Sequence, residues 1–302
     1  MKISLLEFGE GLTEENGLVR LKNVFDYAIK ADELEFSRFW LAEHNLFNRK
    51  SAWGCPISLV PVLASITNRI RIGTGGILLK LHNSFDTVAQ FKLWNAIYSN
   101  RLDLGLANGG VTKQQLEIAN QNNESFDQKF EEVYSFLHEE DEWFKKEIIV
   151  PPYKGVPPEL WALSGSAFGF HRALKYGTNY VRSIFHENSD LKYEKEAFDN
   201  FKDEFFNRHG RKVKTMLAIS GSCLKDEKRL RELRKLSDND EKNHLIGNLE
   251  YFREKIPALL EEYGADEILW RDMNRDIKEK MEALELLSEF IPEGTTHLNT
   301  IS

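Results

Sequence analysis

Short apolar runs that suit β-strands alternate with helix-like stretches eight times along this chain of 302 residues, and no other feature restricts its fold as much. The strand candidates are Ile3–Phe8, Arg38–Ala42, Arg69–Leu78, Arg101–Ala107, Leu160–Leu163, Tyr180–Phe185, Val213–Cys223 and Glu267–Trp270. The helical stretches are Gly17–Leu34, Pro56–Thr67, Phe85–Tyr98, Phe126–Lys145, Ala167–Tyr176, Leu191–Arg208, Leu249–Tyr263 and Ile277–Phe290. In the first of these, Leu18, Leu21, Val24, Phe25 and Ala28 recur at helical spacing. Strand–helix units in this number predict an α/β fold, a TIM-type (β/α)8 barrel, in preference to an open doubly wound sheet. Such barrels commonly form one domain of about 250 residues. No break in composition is long enough for a linker, so residues 1–302 read as a single domain.

Two segments interrupt the regularity. Asn108–Ser125 is polar and without clear period, and is predicted as a long loop after the fourth strand. Leu224–Gly247 is dense in Lys, Arg, Asp and Glu. It reads either as a solvated helix followed by a bend or as a mobile lid over the barrel mouth, where long loops often close active sites.

A hydrophobic content of 41% with 20 Phe supplies a large core. The net charge of -8 argues against nucleic acid as the main partner. No apolar run approaches the roughly 18 residues that span a bilayer, and Lys2 is followed by a short apolar run that breaks at Glu7, unlike a signal peptide. Cys55 and Cys223 are too far apart to suggest a metal site or disulfide framework. A cytoplasmic protein with no membrane partner and no bound metal is expected.

The chemistry concentrates between Arg69 and Gly110. Gly75-Gly76 and Asn108-Gly109-Gly110 both follow the carboxyl ends of short strands, where α/β folds gather ligands. Main chain without Cβ atoms at two such places suits a flat group lying close to it. His44 falls just past the second strand, where an imidazole can exchange protons near neutral pH or simply bond a carbonyl in the rim. Glu43 beside it can orient His44 or serve the structure. Ser164-Gly165-Ser166 precedes a helix whose first amides can receive an anion, although capping alone explains Ser166 equally well.

FWLAEHN (Phe39–Asn45), RIRIGTGGILL (Arg69–Leu79), RLDLGLANGG (Arg101–Gly110), SGSAFGFHRALKYG (Ser164–Gly177) and YGADEIL (Tyr263–Leu269) occur in the order expected of one family. On these motifs, which span essentially the whole chain, the sequence resembles the bacterial luciferase-like flavin monooxygenases. The resemblance implies an enzyme using reduced FMN, supplied by a separate flavin reductase, and molecular oxygen on an unidentified organic substrate, a small molecule or a peptide. Two alternatives stay open: a reductase or dehydrogenase working through a flavin or deazaflavin, and a catalytically silent flavin-binding homologue.

The same resemblance assigns residues. His44 matches a catalytic base, while Asn45 stands where luciferase has a second histidine, and an amide cannot titrate. Gly75-Gly76 matches a non-prolyl cis peptide beneath the flavin ring. Asn45 falls on the substrate side, and His82, on the loop that follows Gly75-Gly76, either lines that side or is an ordinary exposed loop histidine. Ser166 and Gly169 match the surroundings of the FMN phosphate. Asn108 stands in the same region but replaces an arginine that helps hold that phosphate, and Ala107 replaces a reactive cysteine. His171 and Arg172 are either substitute cations or ordinary helix-surface charges. Helices Pro56–Thr67 and Phe85–Tyr98, with Leu59, Val62, Leu63, Phe91, Trp94 and Ile97, match a homodimer interface of the family.

Overall fold

The computed structural model describes residues 1–12, 15–44, 51–165, 168–185, 195–237 and 244–292. Its strands are β1 (Ile3–Glu7), β2 (Arg38–Leu41), β3 (Arg71–Thr74), β4 (Ile77–Leu78), β5 (Leu102–Ala107), β6 (Glu159–Ser164), β7 (Asn179–Ser183), β8 (Thr215–Cys223), β9 (His244–Gly247) and β10 (Glu267–Asp272). The helices are α1 (Gly17–Glu33), α2 (Val60–Ile66), α3 (Ser84–Ile97), α4 (Lys113–Ile118), α5 (Phe126–His138), α6 (Glu140–Phe144), α7 (Phe168–Tyr176), α8 (Lys195–His209), α9 (Glu227–Ser237), α10 (Leu249–Tyr263) and α11 (Ile277–Ser288). Strands β1, β2, β3, β5, β6, β7, β8 and β10 pair in parallel in that order, and β10 closes on β1. The fold is the expected TIM-type barrel. After the Gly75–Gly76 peptide, which is cis, β4 continues β3 along β5.

Parallel strands covered by helices are buried on both faces, so inward and outward residues are both apolar. In β2, Trp40 points into the barrel and packs edge-on against Trp161 at 5.2 Å, while Phe39 points outward to Tyr27 of α1. The interior core is Leu6, Trp40, Trp161, Val181, Met216 and Leu269. At the amino-end floor, charge replaces hydrocarbon. Asp103 accepts from Trp40 Nε1 at 2.9 Å and from Arg71 at 2.7 Å, and Glu159 pairs with Arg38 at 3.3 Å and Lys214 at 2.6 Å. Burial alone would draw the Arg38 guanidinium down, but Asp103, Glu267 and Glu159 outweigh it and hold it up.

Several local expectations need correction. Phe126–Lys145 is two helices: the chain turns at Glu139 so that Trp143 stacks on Phe136 at 4.4 Å and donates to Ser135 Oγ at 2.9 Å. Asn108–Ser125 contains α4, too short for a readable period but closed by a Thr112/Gln115 capping box. Pro56–Thr67 begins as a 3-10 turn (Pro56–Leu59), with Pro61 in the first turn of α2, where no N–H is required. Within 224–247, α9 is tied to α11 by Arg229 and Glu279 at 2.7 Å, and β9 pairs with the upper half of β8. Residues 238–243 lie outside the described residues. Among the described residues no helix is long and apolar enough to cross a membrane.

Candidate active site

A cavity of about 640 Å³ opens at the carboxyl ends of the strands. Leu6, Val181, Ala218 and Leu269 make it apolar at depth, and Gly75, Gly76 and Ala107 form one side. The glycines there are required by packing. A Cβ on Gly75 would meet Leu6 Cδ1 at 2.7 Å, and one on Gly76 would meet the Gly105 carbonyl oxygen at 2.7 Å. A side chain at Gly76 would thus press on β5 itself.

Glu43 and His44 both line the cavity at the end of β2. Glu43 Oε2 accepts from Leu78 N at 2.7 Å, while Glu43 N donates to Gly76 O at 3.3 Å, so this residue clamps both sides of the β3–β4 junction. His82 Nε2 lies 2.7 Å from the same carboxylate oxygen, and the His82 carbonyl accepts from Lys129 at 2.6 Å. Substrate-side and ordinary loop placements both stood open for His82 in the sequence. Its ring is not among the described lining residues and reaches the cavity only through Glu43, because the loop turns it onto that carboxylate. His44 is exposed, edge-on to Phe8 at 6.1 Å.

Asn108, Gly109, Ser164, Gly165 and Arg172 gather on the side where β5 and β6 end. Arg172, on α7, pairs with Asp127 of α5 at 2.7 Å, and its guanidinium lies 4.7 Å from the Phe126 ring centre. Of the two candidate cations on this helix, Arg172 faces the cavity and His171 is exposed. Gly169 is not among the described lining residues. A Cβ there would meet Ser164 Cβ and Tyr180 Cε2 at 2.5 Å, so its bareness lets α7 pack on β6 and β7. Ser166 and Asn45 lie outside the described residues.

Sequence reasoning passed over the carboxyl ends of β7, β8 and β10, where Ser183 lines the cavity and Ser220 and Arg271 are not among the described lining residues. Strand pleating repeats every second residue, so the lining residues Val181, Ala218 and Leu269 are followed on the same face by Ser183, Ser220 and Arg271. The Arg271 guanidinium lies 4.2 Å from the Phe8 ring centre and 5.5 Å from that of Phe185. Ser220 hydrogen-bonds His244 Nδ1 on β9. Burial, aided by the Arg271 charge, pushes the His244 imidazole down to about 4, so it is uncharged near neutral pH. Counting onward by two from each apolar strand residue would have found this group.

The architecture and the motif order agree with what comparison with known proteins finds. The chain is 30% identical over 211 residues to the N-acetyl-S-alkylcysteine monooxygenase of Bacillus subtilis (strain 168), covering 66% of this chain and 62% of that one. Among solved structures, apo-MsnO8 superposes with a TM-score of 0.82 at 22% identity, over 95% of this chain and 97% of the other. The oxygenating constituent of 3,6-diketocamphane monooxygenase of Pseudomonas putida, a type II Baeyer–Villiger monooxygenase solved in complex with FMN, gives 0.72 at 14% identity, over 96% and 97%. At these identities the two structures speak for the fold. The family described as luciferase-like monooxygenase, whose members are oxidoreductases and monooxygenases, matches residues 1–297, and this chain belongs to it.

Proposed function

We propose that the protein is a flavin-dependent monooxygenase, using reduced FMN delivered by a separate flavin reductase and acting on an organic substrate held in the same cavity. The observation that carries this is the meeting of Gly75-Gly76, His44 and Arg172 around one apolar-floored chamber. When bound, reduced FMN supplies electrons and activates molecular oxygen, and the protein provides the surroundings. Gly75 and Gly76 leave main chain open to a flat ring, Leu6, Val181 and Leu269 exclude water below it, and Asn108 offers hydrogen bonds without charge. His44 moves a proton at the mouth. The cation that Asn108 lacks comes from Arg172, which faces the cavity beside Ser164 and Gly165.

Anaerobic titration with reduced FMN and reduced riboflavin tests the reading. Wild type is expected to prefer FMN by about 10- to 100-fold, the worth of one or two charge-assisted hydrogen bonds, and Arg172→Ala to lose most of that preference. A preference unchanged by the substitution removes Arg172 from the phosphate site. Failure of wild type to bind FMN overturns the flavin reading, and bound reduced FMN that consumes no oxygen with any substrate favours a reductase or a silent binder.

We also propose a homodimer formed through α2 and α3. Each helix carries an apolar pair four residues apart that faces solvent, Val62 with Ile66 and Leu93 with Ile97, whereas Leu63 and Phe91 belong to the core. Sedimentation should give a dimer for wild type and a monomer for Leu93→Glu, and unchanged sedimentation would exclude this face.

A further inference from the structure

We propose that Ser183, at the end of β7, is a flavin-positioning residue whose hydroxyl hydrogen-bonds the hydroxylated ribityl chain that joins ring to phosphate. This rests on reading the chamber as a flavin site with its phosphate at Arg172. Of the buried side-chain oxygens and nitrogens without a hydrogen-bond partner among the described residues, Ser183 Oγ alone belongs to a residue that lines the cavity. Among the other polar lining residues, Glu43 is bonded to Leu78 N and Arg172 to Asp127, while His44 and Asn108 are exposed.

The sequence of β7 sets where this hydroxyl stands. Alternation puts Ser183 on the inner face with Val181, two residues earlier, which belongs to the apolar floor under the ring. Strands β6 and β7 pair Leu163 with Val181 and Ser164 with Arg182, so the next step of the register sets Ser183 level with Gly165. Adjacent strands run about 4.8 Å apart, which brings Ser183 near the Gly165 side of the chamber, where Arg172 also faces in. The residue therefore lies between the place of the ring and the place of the phosphate, which is where a flavin carries its ribityl hydroxyls. Its main chain is fixed, since Arg182 Nη1 donates to Ser183 O at 3.3 Å and Ile184 N to Ala218 O at 3.0 Å. Its side chain is not. Ser183 Oγ is shut from solvent yet has no partner among the described residues, an unfavourable state for a hydroxyl. One rotation about Cα–Cβ carries it to another staggered position without breaking a bond. Serine and ribityl hydroxyls can each donate and accept, so the pairing needs neither a charge nor a proton transfer.

Reduced FMN and a hydroxyl-free analogue, a reduced flavin whose side chain is a plain phosphopentyl group, are titrated anaerobically into wild type and Ser183→Ala. The substitution is expected to weaken FMN by about 3- to 10-fold, the worth of one neutral hydrogen bond, and to leave the analogue unchanged. Because Ser183 Oγ bonds nothing among the described residues, the variant should also unfold at no lower a denaturant concentration than wild type. Equal weakening of FMN and analogue would place the contact on the ring or the phosphate and overturn the proposal. A variant that unfolds earlier than wild type overturns it too, by showing that the hydroxyl serves the fold. FMN binding indifferent to Ser183→Ala overturns this assignment alone, whereas failure of wild type to bind either flavin overturns the flavin reading and the assignment with it.

Discussion

Asp272→Asn should be more stable than the wild-type protein at pH 8, by up to about 4 kcal/mol, and the difference should vanish near pH 4. Asp272 ends β10 on its outer face. The residue as a whole is half-buried, but its carboxyl oxygen Oδ2 is shut from solvent and has no partner among the described residues. Oδ1 accepts from Asn274 N at 2.8 Å, and the Trp270 indole also acts on the carboxyl as a donor. Burial pushes this carboxyl up to about 7, against the pull of Lys280. Lys280 is itself engaged by Glu7 at 2.7 Å. The sign follows from proton counting. Between the unfolded value near 3.8 and the folded value near 7, the native state holds a proton that the unfolded chain has released. Stability from this group is therefore complete below about 3.8 and is lost as pH rises through about 7. His244 acts in the opposite sense, since a folded value of about 4 lets stability grow as pH rises from there towards 6.5. The wild-type-minus-variant difference in denaturant-unfolding free energy cancels His244 and isolates Asp272. Parallel pH profiles for the two proteins would show that the carboxyl is ionised in the fold.

Replacing His44 by alanine is expected to slow turnover by about 10²- to 10⁴-fold, the usual contribution of a positioned general acid or base. The expectation follows from its place at the cavity mouth, exposed to solvent protons and steadied by the edge of Phe8. The variant should also lose the variation of kcat with pH that proton transfer at this side chain imposes on the wild type. The substrate for the assay is to be found by untargeted metabolite comparison of cells with and without the gene. A pH–rate profile left unchanged by His44→Ala would remove the assignment. Loss of rate with the pH dependence intact would reduce His44 to a packing or positioning role.

The eight barrel strands were legible because their residues are apolar on both faces: Phe39 and Trp40 point in opposite directions and each is fully buried. The helices were legible where they were long, as in α10, which runs from its Asn248 cap to Gly264 at φ 63°. They were misread where a tertiary contact broke the run, as the Trp143–Phe136 stack does after α5. In the site, Gly75, Gly76, His44 and Asn108, which the motifs named, all line the one cavity. His82 looked equally suited to it, yet the fold turns its ring onto Glu43. Ser183, Ser220 and Arg271 were passed over, although strand alternation puts each on the same face as a cavity-lining residue two positions earlier.

Taken alone, the sequence determined the barrel, its count of strands and the motifs that place the chain in its family, because burial on both faces and helical period are written locally. Only the tertiary structure decided which charges meet. The floor joins Arg38 to Glu159, 121 residues apart, and the Glu7–Lys280 pair beside Asp272 spans 273. Arg172 is turned to the cavity by α7 packing on β6 and β7, and Arg271 lies against the rings of Phe8 and Phe185, just past β1 and β7. A charge takes its partner and its pKa from neighbours brought close by closure of the barrel, and strand-by-strand periodicity carries no record of that closure.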